Sequence, residues 1–184
     1  MHRQNIAHRD LKPENILIKG EHELKVADLG AAKVLSPAGM NTPYVVSRYY
    51  RAPELIMGTR SYDCSIDIWS AGCIMFELLA RTPLCPAASE GLSILEHVQA
   101  LGKPTPAEKA ELQSLCERSM TRLLDYDQGG RGGHTLTETL QLAMNHYDEG
   151  DEVEKVADLI VRCLRWAPSR RIKASEALSH PFFI

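Results

Sequence analysis

The sequence of 184 residues predicts a mainly α domain with a short β-hairpin near its start. Three observations lead there. Apolar residues cover nearly every face of Ser65 to Ala80 (Ile66, Ile68, Trp69, Ala71, Cys73, Ile74, Met75, Phe76, Leu78, Leu79), the mark of a helix buried all round. Ile16-Leu17-Ile18 and Leu24-Lys25-Val26 flank Lys19-Gly20-Glu21, a hairpin pattern. Glu154 to Trp166 and Lys173 to Ser179 are amphipathic helices, with Pro168 and Pro181 as stops.

Taken in order, residues 1 to 60 read as loops with short strands, and the back two-thirds as mainly helical. Asp67 lies inside the buried helix and needs a partner, because a lone buried carboxylate is costly. Gly91 to Leu101 is a second helix, ended by Gly102 and by prolines at 104 and 106. Gly129 to Gly133 reads as a flexible loop, and Asp148 to Glu154 as a solvated acidic face. No repeat and no interdomain linker stands out, so residues 1–184 form one unit.

Composition narrows the classes further. Hydrophobic residues are 44% and charged residues 24%, ordinary globular usage with enough apolar material for a core. A formal charge of −3 gives no bulk attraction to nucleic acid or membrane surfaces, so neither is an expected partner. No charge-free apolar run approaches the ~18 residues of a membrane span, and no apolar leader follows Met1. Five scattered cysteines, never as Cys-x-x-Cys, argue against a disulfide framework and a zinc site and for a reducing compartment, cytoplasmic or nuclear.

The chemistry-bearing residues come early. His8-Arg9-Asp10-Leu11-Lys12-Pro13-Glu14-Asn15 fits H-R-D-x-x-x-x-N. An acid beside an acceptor hydroxyl can take its proton, and an amide oxygen nearby can hold a metal without adding charge. The second strand of the hairpin runs into Asp28-Leu29-Gly30, where an acid can meet a phosphate-bridging cation. Ala52-Pro53-Glu54 and Asp67-Ile68-Trp69-Ser70-Ala71-Gly72 follow. Each motif alone is weak; their order makes the signal strong.

This succession resembles the C-terminal lobe of the eukaryotic protein kinases over essentially the whole chain. The resemblance implies a catalytic loop at 8–15, a metal-binding motif at 28–30, an activation segment at 28–54 and a helical subdomain at 55–184. Asp10 is then the catalytic base, Lys12 the group that steadies the transferring phosphoryl, and Asn15 and Asp28 the Mg2+ ligands on bound ATP. Asp67 binds the backbone of the His8–Asp10 loop, and Glu54 pairs with Arg171. Leu29 stands where the family usually has Phe and should keep an apolar contact. His8 packs the loop rather than exchanging protons. No Gly-x-Gly-x-x-Gly and no Val-Ala-x-Lys strand precedes residue 8, so the expectation is a fragment lacking the N-terminal lobe, inactive in isolation.

Tyr44 to Glu54 (Tyr-Val-Val-Ser-Arg-Tyr-Tyr-Arg-Ala-Pro-Glu) resembles the CMGC group of MAP kinases, cyclin-dependent kinases and glycogen synthase kinases. Thr42-Pro43-Tyr44 is similar to the dual-phosphorylation motif of MAP kinases, while Ala32-Lys33 and Leu101-Gly102-Lys103-Pro104-Thr105-Pro106 lean toward glycogen synthase kinases. The MAP kinase-like reading leads. It implies an upstream activating kinase, phosphate on Thr42 paired with Arg9 and Lys33, phosphate on Tyr44 paired with Arg48 and Arg51, and Ser-Pro or Thr-Pro protein substrates. The glycogen synthase kinase alternative implies substrates primed by an existing phosphate. A third alternative is a catalytically inactive kinase-like interaction module.

Overall fold

The structure, a computed structural model, describes residues 1–20, 23–35, 41, 48–126, 136–144 and 151–184. Thr42, Tyr44 and the Gly129–Gly133 loop lie outside these residues.

Two small antiparallel sheets open the chain. β1 (Ile6–Ala7) pairs with β4 (Lys33–Val34), with Ile6 opposite Val34 and Ala7 opposite Lys33. β2 (Ile16–Lys19) pairs with β3 (Glu23–Val26) from Ile16↔Val26 to Lys19↔Glu23. Gly20 supplies the left-handed turn residue that the hairpin needs, at φ 64°.

The remainder is helical: α1 (Pro53–Ile56), α2 (Ser65–Ala80), α3 (Glu90–Leu101), α4 (Pro106–Leu115), α5 (Arg118–Thr121), α6 (Leu136–Met144), α7 (Asp151–Cys163) and α8 (Ala174–Ala177). α2 is the axis, packed on α6 and α7. Its Trp69, Cys73 and Phe76 share a core with Leu140 of α6, Ile160 of α7 and Leu164. A second cluster joins Ile56 and Met57 to Ile94 and Val98 of α3, Leu112 of α4 and Trp166. Gly72 lets α2 and α7 close up, for a Cβ there would sit 2.8 Å from the Cys163 Cβ and 2.9 Å from Leu164.

Several elements depart from the sequence-based expectation. α2 is not buried all round: the apolar sheath holds through Phe76, but Leu78 in the last turn is exposed. α7 ends at Cys163 rather than Trp166: the Arg162 carbonyl, which a longer helix would pair with the Trp166 N–H, accepts instead from the Ile172 N–H at 3.0 Å. The expected Lys173–Ser179 helix is the single turn α8. Pro106 does not merely stop α3. It opens α4, whose cap Thr105 accepts from the Glu108 N–H while the Glu108 carboxylate accepts from the Thr105 N–H at 3.0 Å.

Candidate active site

The loop of residues 8–15 hangs between β1 and β2, and the 27–31 segment continues from β3 toward β4. Three hydrogen bonds tie the two together. The Ala27 N–H donates to the Asn15 carbonyl (2.8 Å), His8 Nε2 to the Ala27 carbonyl (2.9 Å), and Arg9 Nε to the Ala31 carbonyl (2.6 Å). His8 is buried, and its Nδ1 accepts from the Asp10 N–H at 3.3 Å. Both ring nitrogens are thus spent on holding the loop.

Asp67 braces the loop from below. This buried carboxylate accepts the N–H groups of His8 (2.7 Å, Oδ2) and Arg9 (2.9 Å, Oδ1), and His2 Nε2 lies 2.9 Å from Oδ2. Three donors offset its desolvation. They also fix a strained loop, since Arg9 (φ 70°) and Asp28 (φ 58°) both occupy the left-handed region, uncommon away from glycine.

On the brace sit the acidic and basic groups. Lys12 Nζ lies 3.2 Å from Asp10 Oδ2, and Asn15 Nδ2 donates to the Asp10 carbonyl (2.8 Å) and to Oδ2 (3.3 Å). Asp10 Oδ1 is buried and has no hydrogen-bond partner among the described residues. A buried acceptor without a donor is costly unless something supplies one, and a substrate hydroxyl would. Asn15 spends its amide nitrogen on Asp10, which leaves its Oδ1 as the free acceptor. Asp28 is exposed, and its Oδ1 accepts from the Gly30 N–H at 3.2 Å. A Cβ on Gly30 would stand 3.1 Å from that oxygen, so glycine keeps the carboxylate unhindered.

No group of three or more His, Cys, Asp or Glu side chains that could hold a metal occurs among the described residues. One carboxylate and one amide oxygen are hard donors of the kind that Mg2+ takes together with waters and phosphate oxygens. Asp28 and Asn15 therefore carry the donor chemistry that fits such an ion.

A cavity of about 20 Å³ beside Asp10 is lined by Arg9, Leu11, Tyr50, Arg51 and Tyr62, among others. Burial first, then the Glu77 carboxylate that accepts from the Tyr50 hydroxyl at 2.7 Å, raise the Tyr50 phenol's pKa and keep it neutral. Burial lowers the Arg51 pKa, and Glu90, 3.3 Å from Nη1, opposes that effect. Arg51 thus faces Glu90, Arg48 is exposed, and Lys33 is half-buried in β4. Arg9 Nη1 donates to the Tyr62 hydroxyl at 3.0 Å. Leu29, expected to make an apolar contact, is 59% exposed and follows Asp28 in its left-handed conformation.

Further out, Glu54 of α1 and Arg171 meet inside the protein at 2.6 and 2.7 Å. His2 and Tyr62 belong to the site and were not singled out from the sequence. They lie 65 and 53 positions from their partners, and no local pattern marks them.

A loop carrying Asp10, Lys12 and Asn15, braced by a buried helix and tied to the segment that carries Asp28, has a known setting. The chain belongs to the protein kinase domain family, which matches residues 1–183. Among its relatives are kinases of the CMGC group. It is 40% identical to cyclin-dependent kinase 20 of Homo sapiens, covering 99% of this chain and 49% of that protein. It is 36% identical to glycogen synthase kinase 1 of Pyricularia oryzae (100% of this chain, 43% of the relative) and 36% identical to mitogen-activated protein kinase 6 of Arabidopsis thaliana (99% and 42%). The chain spans about half the length of the curated relatives it matches.

Proposed function

We propose that this chain is the C-terminal lobe of a CMGC-group protein kinase that transfers the γ-phosphate of ATP to Ser or Thr of protein substrates, with Ser-Pro and Thr-Pro sites preferred. The observation that carries the reading is Asp10: one oxygen is held by Lys12 and Asn15, and the other is buried and unpartnered beside a small cavity. A serine or threonine hydroxyl donating to Oδ1 would be oriented for in-line attack on phosphorus. Its proton passes to Asp10 as the new P–O bond forms and the bond to the β–γ bridging oxygen breaks, leaving ADP. Lys12, beside the same carboxylate, is placed to lend positive charge to the phosphoryl oxygens. Mg2+ bound with ATP would neutralise phosphate charge, and Asn15 Oδ1 and Asp28 are the residues that would hold it.

The reading of 8–15 as catalytic loop, 28–54 as activation segment and 55–184 as helical subdomain goes with this proposal. So does regulation by phosphate on Thr42 and Tyr44, with Arg9, Lys33, Arg48 and Arg51 as candidate partners. The presence of Asp10, Lys12, Asn15 and Asp28 together speaks against the inactive-module alternative. The relatives include both MAP and glycogen synthase kinases at 36% identity and do not separate those two readings.

The test joins the chain to the N-terminal half of its parent kinase and follows phosphate transfer to Ser-Pro peptides, unprimed or carrying a priming phosphate, in wild type and Thr42→Ala. Turnover of unprimed Ser-Pro peptide that Thr42→Ala abolishes is expected. Full activity of Thr42→Ala on primed peptide alone would replace the MAP kinase-like reading with the glycogen synthase kinase-like one. Absence of transfer to any Ser or Thr peptide would remove the kinase proposal.

A further inference from the structure

His97 stands on the apolar face of α3 with no accessible surface. Its ring lies between the only two tryptophans of the chain, 5.3 Å from Trp69 of α2 and 6.2 Å from Trp166. Nδ1 is 2.6 Å from the Ser93 carbonyl, which can only accept, so Nδ1 carries the proton. Nε2 is then a lone-pair acceptor, and it is buried without a hydrogen-bond partner among the described residues. The same Trp69 ring carries the Arg171 guanidinium 4.9 Å from its centre.

We propose that His97 is a proton-sensitive joint: as the neutral imidazole it packs α3 against Trp69 and Trp166, and because the folded site has no place for a second ring proton, acid favours the unfolded chain. A second ring proton would sit on Nε2, where no acceptor waits among the described residues, and the new charge would lie near that of Arg171. Among the described residues, other charges give no compensation. Glu54 of α1 is committed to Arg171 on both oxygens, and Asp67 and Glu77 of α2 are taken by the loop amides and Tyr50. Glu90 of α3, Arg48, Arg122, Asp125 and Glu138 on the elements packed around it are exposed, and the half-buried Glu96 is itself drawn toward its neutral form by burial. Burial foremost, opposed by the Ser93 carbonyl and reinforced by Arg171, lowers the His97 pKa from 6.5 to about 4.

The unfolded chain therefore takes up this proton near 6.5, and the folded chain only near 4. Stability from the neutral joint is complete above pH 6.5, declines between 6.5 and about 4, and changes no further below. Trp69 and Trp166 touch the ring and report on it by fluorescence. Urea unfolding of the wild-type chain and of His97→Leu, from pH 7.5 to 4.5, isolates the contribution of this one proton. The wild-type unfolding constant should rise relative to that of His97→Leu by up to about tenfold per pH unit below 6.5. Parallel profiles would overturn the proposal. Should His97→Leu not fold, nitrogen NMR of the wild-type imidazole decides: a neutral Nδ1–H ring at pH 5.5 is expected, and an imidazolium there would overturn it.

Discussion

Arg171 grips Glu54 across 117 positions of sequence with two parallel hydrogen bonds, Nη1 to Oε1 at 2.6 Å and Nη2 to Oε2 at 2.7 Å, both side chains buried. The three remaining guanidinium donors are also used, on the carbonyls of Arg165 (2.9 Å), Trp166 (3.2 Å) and Ser65 (3.3 Å). One cation thus joins α1, the start of α2 and the turn after α7, and its plane rests near Trp69. A buried pair is a gain only when every proton and lone pair is matched, and here the planar five-donor fork matches them.

Arg171→Lys should accordingly destabilise the chain by about 3–5 kcal/mol, because an ammonium cannot span both Glu54 oxygens and leaves carbonyls bare. Urea unfolding measures it. A loss under about 1 kcal/mol would show that the pair is incidental to the fold.

Gly72→Ala sets two effects against each other. Alanine is the better helix former by about 1 kcal/mol, but its Cβ would stand 2.8 Å from the Cys163 Cβ, which is fixed to backbone and cannot swing aside. Overpacking should win, with a net loss of about 1–3 kcal/mol and α2 and α7 forced apart. Thermal unfolding of the variant checks the sign, and a raised melting temperature would contradict the close approach.

Asp67→Asn leaves one acceptor oxygen where the carboxylate offers two, so the His8 and Arg9 amides cannot both be held. Hydrogen exchange at those two amides should quicken by about tenfold or more, equivalent to ~1.4 kcal/mol, while amides within α2 keep their protection. Unchanged exchange at His8 and Arg9 would mean that the loop stands without its brace.

What the sequence disclosed follows from how local each feature is. The hairpin and α2 could be read because alternation and an apolar sheath are properties of neighbouring residues. Asp10, Lys12 and Asn15 fall within six positions, so a local motif brings them to notice, and the ordered motifs that follow strengthen the reading. α4 was also legible, since Thr105-Pro106-Ala107-Glu108 is a capping box with proline in first position; taking Pro106 only as a stop hid it. The end of α7 was not legible. Its periodicity runs on to Trp166, and what stops it is the Ile172 N–H from beyond the helix taking the Arg162 carbonyl. His2 at Asp67 and Tyr62 at Arg9 arise only once the fold has brought distant segments together.

The most direct test of the central claim is phosphoryl transfer by Asp10→Asn, in the chain joined to the N-terminal half of the parent kinase proposed above, compared with nucleotide binding by the same variant. Removing the carboxylate proposed to receive the hydroxyl proton should lower kcat by at least about 100-fold. Affinity for ATP with Mg2+ should stay within about twofold of wild type, since Asn15 and Asp28 are untouched. Turnover at the wild-type rate by Asp10→Asn would contradict the account at its root.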